Sequence, residues 1–535
     1  FDYSRGITSE KGSLSINNYY FSIIKLIRDV TSLDNDEYEK VKIFFNDNNE
    51  SLDTSIIELF EILRNSRINK SVKNVIDRSL TPELEEEKKK LQHLILEFEK
   101  LPRISEKSQN VPEIAKQLAD YKKQIFDQQK LINSKLNIQD GLYYGKIDKK
   151  FLEKNIKNNQ AIISYFVDEE KLFLNYFSKE KILIKKIDIN ENEISNYVSA
   201  IRNSILIGEN KKLKKFDFKN SSELYQIILK PIEKDIYDKN ELIIIPHRSL
   251  LSLPFEVLVK DYDNQNNYTS AKWLGKKYSI SYHPSIYSFL NLKNITFEKT
   301  NNELAFLGLG DPKFKKDEKL ASKKTDLTKL MLRNVANVEE IKKMTELPET
   351  ADELKIISNV FNNQSKLLLG KEFTENKIKS MDLSSFKYIA FATHAIVANQ
   401  ITNIAEPGLI LTPPNNPTTK DDGILTVSEI NKLNLKSDIV ILSACNTASE
   451  DGSPNGEGLS GLTSAFFQAG TKSMLVTHWD VETNSAVKLT TGSLKNLENS
   501  ESLSKALQKT KVSMMNDKET AHPFYWAPFV LIGNL

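Results

Sequence analysis

The amino-acid sequence predicts an α/β fold: a mostly parallel sheet with helices on both faces, preceded by a helical region and a small β-containing linker domain. Three observations carry that expectation. Short runs that are almost wholly apolar recur after residue 220, and strands without a polar face belong to a sheet covered on both sides. Helical periodicity fills several of the gaps between those runs, as the crossovers of a parallel sheet require. Before residue 150 the pattern is mostly helical.

Residues 1–150 are read as the helical N-terminal region. Apolar positions repeat at helical spacing over 56–62 and again over 84–98, and the pattern resumes over 111–132 after Pro102. The polar stretch 31–55, with Asn46, Asn48 and Asn49 at its centre, reads as a long connection. Such helices could descend from helical repeats, but no fixed period runs through them. Residues 151–219 hold three β-rich runs, 161–166, 171–177 and 181–187, parted by charged turn residues and followed by a helix over 193–205. They predict a small antiparallel sheet joining the two larger parts.

Residues 220–535 are the α/β domain. Its strands are expected at 241–245, 278–282, 304–307, 387–391, 438–442, 472–476 and 528–532. Helices are expected at 350–361, 426–433, 458–469, 483–497 and 502–514. The lysine-rich stretch 311–335 has little periodicity and reads as a surface loop.

Bulk properties remove several function classes. Hydrophobic residues at 39% and charged residues at 27% describe a globular chain with a wet surface. Lys plus Arg number 74 against 72 Asp plus Glu, a net charge of +2, which supplies no global field for nucleic acid. The cluster Lys211, Lys212, Lys214 and Lys215 is read as solvated loop charge. No apolar run reaches the roughly 18 residues that span a bilayer. The chain opens on Phe1 with no signal-peptide pattern, so it is expected to be a processed or partial chain, cytoplasmic, and from an AT-rich bacterial genome given its wealth of Lys and Asn. A single Cys excludes an intramolecular disulfide and a thiolate metal cluster; neither metal nor cofactor is expected.

That one Cys is where the chemistry collects. Phe391 closes one expected strand and is followed by Ala392-Thr393-His394-Ala395; Leu442 closes another and is followed by Ser443-Ala444-Cys445-Asn446-Thr447. Ligands of open α/β sheets gather beyond the carboxyl ends of the strands. If the two strands are parallel neighbours, His394 and Cys445 emerge on one rim. A nearby imidazolium draws a thiol toward thiolate, and the same imidazole can protonate a leaving amine while backbone N–H groups hold an oxyanion. The glycines 452, 456, 458 and 461 beyond Cys445 make a turn into the next helix, one that allows close backbone approach.

These residues resemble the CHAT domain family, caspase-related domains often fused to tetratricopeptide repeats. The resemblance rests on Phe391-Ala392-Thr393-His394-Ala395, on Leu442-Ser443-Ala444-Cys445-Asn446-Thr447, and on Gly456-Glu457-Gly458-Leu459 with Ala465-Phe466-Phe467. It continues through Val476-Thr477-His478-Trp479-Asp480-Val481 and Trp526-Ala527-Pro528-Phe529-Val530-Leu531-Ile532-Gly533. Upstream, Pro246-His247-Arg248, Leu253-Pro254-Phe255, Gly310-Asp311-Pro312 and Leu347-Pro348 with Thr350 and Glu353 follow in the expected order. It covers about 220 to 535.

The resemblance implies a caspase-like cysteine endopeptidase, with His394 and Cys445 as the dyad and the backbone N–H groups of Ala395 and Cys445 as the oxyanion hole. The family commonly has Gly where this chain has Ala395, and a requirement for positive φ there would cost the site its geometry. The substrate is expected to be a protein or peptide. Asp311 and Asp480 fall near the implied specificity pocket and lean the expectation toward cleavage after a basic residue. Each Asp has a turn or capping role as its alternative, Trp479 is either a groove wall or core, and Ser443 either orients substrate or satisfies a strand end. His247, His283 and His478 read as strand-end donors, with His478 a rival general base; His522 and His93 read as solvated. The alternative in a different class is a catalytically silent signalling scaffold that recruits partners through its helices, the same region through which an activating protein or sensor would act.

Overall fold

The computed structural model describes residues 149–533 except 168–169, 209–211, 262–266, 294–303, 315–337, 363, 397–400, 402–405, 419, 444–460, 480, 498 and 501, together with Lys90 and Gln124. Apart from Lys90 and Gln124, the helical region expected before residue 149, with His93, lies outside the described residues, as do Cys445 and Asp480.

Eleven strands form the main sheet: β1 (Gln160–Val167), β2 (Leu172–Phe177), β3 (Ile182–Ile187), β4 (Glu241–Ile245), β5 (Ser279–Tyr282), β6 (Leu304–Gly310), β7 (Ser365–Leu369), β8 (Phe386–Ala392), β12 (Ile439–Ser443), β13 (Ser473–Thr477) and β14 (Phe529–Gly533). Their order is β3-β2-β1-β4-β5-β14-β13-β12-β8-β6-β7. From β13 through β12, β8 and β6 to β7 every pairing is parallel. β14 sits between β5 and β13, parallel to the first and antiparallel to the second. The expected antiparallel unit is present as β1, β2 and β3, and β1 also pairs in parallel with β4, Ile162 opposite Ile243. These strands therefore extend the main sheet. Three very short strands, β9 (Ala395–Ile396), β10 (Gly408–Ile410) and β11 (Ile424–Thr426), make a separate antiparallel sheet beside the end of β8.

The inner strands are apolar on both faces because both faces are covered. Helices α3 (Glu349–Asn359), α5 (Thr483–Leu497) and α6 (Leu503–Asn516) pack in succession along one side, α3 over β6 and α6 over β5. On the other side α4 (Gly461–Ala469) places Phe466 against Phe391 of β8, ring centroids 5.3 Å apart. α1 (Glu191–Ile205) begins with a capping box in which Asn190 and Glu193 satisfy each other's backbone N–H groups, and α2 (Phe218–Ile228) packs beside it. No helix among the described residues is long and apolar enough to cross a membrane.

Small residues let α3 come close to the rim. Gly310, Ala392 and Ser443 lie side by side across β6, β8 and β12. A Cβ at Gly310 would stand 2.7 Å from Leu354 Cδ1 and 2.8 Å from the Ala392 carbonyl oxygen, closer than any side chain tolerates.

Candidate active site

The carboxyl ends of β6, β8 and β12 form one rim, and the candidate residues leave it there. His394 follows β8 by two residues and is half-buried. Its backbone is clamped on both sides: Thr393 Oγ1 donates to the Ile410 carbonyl at 2.5 Å, and Ile410 N–H donates to the His394 carbonyl at 2.9 Å. Its ring Nε2 lies 2.8 Å from the Thr345 carbonyl oxygen, with Phe314 6.1 Å away centroid to centroid. A carbonyl oxygen only accepts, so this contact requires the proton on Nε2 and leaves Nδ1 as the basic nitrogen of the neutral ring.

Ala395 begins β9 and pairs with Leu409; it is not among the described residues of positive φ. The methyl group therefore costs no left-handed strain there. β12 ends at Ser443, opposite Ala392, and Cys445 follows by two residues of covalent chain.

Ser443 turns its hydroxyl inward, donating to Glu353 Oε2 at 3.5 Å, the long limit of such a bond. Glu353 is 2% exposed, and its Oε1 has no hydrogen-bond partner among the described residues. Burial pushes its carboxyl up to about 7; the Ser443 hydrogen bond opposes that shift and the charge of Glu349 adds to it.

Asp311 follows β6 with φ +56° and is buried. Its N–H donates to Thr350 Oγ1 at 2.9 Å, and its carboxylate accepts from Lys313 Nζ at 2.6 Å. Its charge is thus met by a lysine two residues on, which the sequence reading overlooked. Trp479 is 3% exposed, with Nε1–H donating to the Phe524 carbonyl at 3.3 Å, and it packs in the main core.

Three other described histidines, His247, His478 and His522, are structural. His247 Nδ1 accepts from Val167 N–H at 3.0 Å and stacks on Phe166. His478 is buried, and that burial, with Arg202 and Lys511 nearby, holds it neutral well below the usual imidazole range. His522 corrects the expectation of a solvated ring. It is buried, its Nδ1 accepts from Phe524 N–H at 3.1 Å, its Nε2 donates to the Lys214 carbonyl at 3.0 Å, and burial lowers it to about 4.

Sequence reasoning missed three contributors to this rim. The Thr345 carbonyl has no side-chain signature. Lys313 was in view, and its two-residue spacing from Asp311 could have found it. Arg202 of α1 reaches across from the lead-in, donating to the carbonyls of Ser252 and, at 3.1 Å, of His478 just after β13.

The CHAT domain matches residues 219–534. Tetratricopeptide repeat protein 28 of Mus musculus is 26% identical over 215 residues, 35% of this chain and 9% of that protein, so the chain spans about a tenth of that relative's length. Among solved structures, the separase–securin complex of Saccharomyces cerevisiae is similar at a TM-score of 0.42 and 12% identity, over 80% of this chain and 34% of that one. The complex of Porphyromonas gingivalis RgpB pro- and mature domains is similar at a TM-score of 0.35 and 9% identity, over 64% of this chain and 76% of that one. The domain match runs over more than half of the sequence and takes in β4 to β14 with the whole candidate rim; the chain belongs to the CHAT domain family.

Proposed function

We propose that the chain is a cysteine endopeptidase acting through Cys445 and His394. One observation carries the reading: β8 and β12 are adjacent and parallel, Ala392 is opposite Ser443, and His394 and Cys445 each lie two residues beyond that pair. Two extended residues reach about 7 Å, so both side chains belong to the same rim by covalent geometry alone.

In this reading His394 Nδ1 takes the thiol proton of Cys445, and the thiolate attacks the scissile carbonyl carbon. The oxyanion is held by the backbone N–H groups of Ala395 and Cys445. Collapse breaks the C–N bond, His394 returns its proton to the departing amine, and a thioester remains on Cys445. Water, deprotonated by His394, then releases the acid. The Thr345 carbonyl keeps the ring in the tautomer these steps need and partly offsets the charge of the imidazolium.

Cleavage after a basic residue is the substrate preference we propose. Asp311 is its support, and a basic side chain at that position would take the place of Lys313 on the carboxylate. The test is to expose a peptide library to the chain and to Cys445→Ala, and to sequence the released termini. New termini from the first alone support the reading. Identical traces, with Cys445 inert toward an electrophilic peptide, sink it and favour the scaffold.

A further inference from the structure

The buried Glu353 has no part in the dyad chemistry, yet it lies directly behind the strand end that leads to Cys445. We propose that Glu353 is a positioning residue, a buried acid that in its neutral form holds the end of β12 through Ser443 and on ionising slows the Cys445 thiol. The inference rests on the peptidase reading above and deepens it.

Three observations support it. The acid is reached by Ser443 Oγ at 3.5 Å, and Ser443 precedes Cys445 by two residues, so its Cα stands at most about 7.6 Å from that of the cysteine. The row Gly310, Ala392 and Ser443 is small enough to admit α3, the helix that carries the acid, against the rim. Its second oxygen is sealed from solvent with no partner among the described residues, an arrangement that suits a protonated acid far better than an anion.

The surrounding charges do not hold an anion there. β6 and β12 carry no titratable side chain; β7 has Lys366, β8 has Lys387 and Tyr388, and α5 has Lys488 and Lys495. Glu349, Asp352 and Lys355 share α3, and Asp311, Lys313 and His394 lie past the strand ends. Of these groups, Glu349 is the one whose charge acts on the acid, and it is repulsive. Near neutrality the acid is half-protonated, and its ionisation places a negative charge in a low-dielectric setting behind the end of β12, which Cys445 follows by two residues of chain.

Because the chain has one Cys, the rate of alkylation by iodoacetamide reports Cys445 directly, without any need for turnover. The full chain, Glu353→Gln, Glu353→Leu and Ser443→Ala are compared from pH 5.5 to 9. Gln reproduces the neutral acid, so Glu353→Gln should match wild type near pH 6 and react about three- to tenfold faster at pH 8.5, up to one pKa unit of relief. Glu353→Leu should be slower than Glu353→Gln at pH 6, and Ser443→Ala, which leaves the acid but unties it from β12, should be about threefold slower than wild type there. Superposed wild-type and Gln profiles, or an unchanged Ser443→Ala rate at pH 6, would overturn the proposal. Peptide cleavage measured alongside separates the two readings. Turnover with superposed profiles removes Glu353 alone, whereas shifted profiles with no turnover remove the peptidase and leave Glu353 coupled to the thiol.

Discussion

Ala392 and Ser443 stand opposite each other at the ends of neighbouring parallel strands, and a histidine and the sole cysteine each follow two residues later. Register thus does for this pair what a shared loop does in other sites. A shift of one strand by a single residue would put Ala392 and Ser443 out of step and break that alignment. The wholly buried apolar run Ile439–Leu442 of β12 favours that register over a slipped one.

Cys445→Ala and His394→Ala should each lower peptide cleavage about a thousandfold or more, because the pair works as one unit. Melting temperature should move by no more than a degree or two. A comparable loss of fold in circular dichroism would assign both residues to structure instead.

Ala395→Gly should change kcat by less than about threefold, since Ala395 occupies an ordinary strand conformation at β9. Stability should fall by about 0.5–1 kcal/mol from the added backbone freedom. A gain of tenfold or more in kcat would mean that the methyl group obstructs the oxyanion site.

Lys313→Ala should lower KM for peptides with Arg or Lys before the cut, by about threefold to tenfold, with kcat little changed. The lysine occupies the Asp311 carboxylate that we assign to such substrates. Equal kinetics in the two proteins would remove Asp311 from the pocket.

Arg202→Ala should cost about 3 kcal/mol in urea unfolding, because two buried carbonyls lose a charged donor at once. Activity should drop as well, since one of those carbonyls belongs to His478 at the exit of β13. A stable, fully active variant would show that α1 merely lies alongside.

Stability should fall as pH drops from about 6.5 to about 4, and His522→Asn should flatten that slope. The native ring is held neutral by its burial, with Nδ1 accepting from Phe524 N–H, so over that window the unfolded chain binds the extra proton. The full effect for this group is about 3 kcal/mol. Glu353 works in the opposite direction: its native carboxyl is raised, so its contribution is complete below about 4.5 and is lost as pH rises through 7. Denaturant titrations of His522→Asn and Glu353→Gln across pH 4 to 8 should separate the two slopes.

Fully buried strands were the most legible part of the sequence, because four or five consecutive apolar residues leave little else to be. The strand expected at 241–245 is β4, and 438–442 differs from β12 by one residue at each end. β7 was missed because Ser365 and Lys366 on a half-exposed edge break the apolar run. β9, β10 and β11, two or three residues each, are too short to show a period. Apolar content is blind to direction, so nothing in 528–532 announced that β14 runs against β13. At the rim, His394 was legible from its place after a strand, whereas the Thr345 carbonyl, a backbone atom, was not. Glu353 was visible only as one residue of a motif, since burial of an acid is a property of the fold around it. His522 was misread because a His-Pro pair looks like a turn in solvent until the packing of its ring is seen.

The place of β14 has a consequence for how the protein comes to exist. It follows all ten of its sheet partners in the chain, yet it fills the gap between β5 and β13. During synthesis the β4–β5 side and the β13–β12–β8 side each present a bare strand edge until residues 529–533 emerge from the ribosome. His394 and Cys445 are therefore translated well before the seam that joins their half of the sheet to the rest can close.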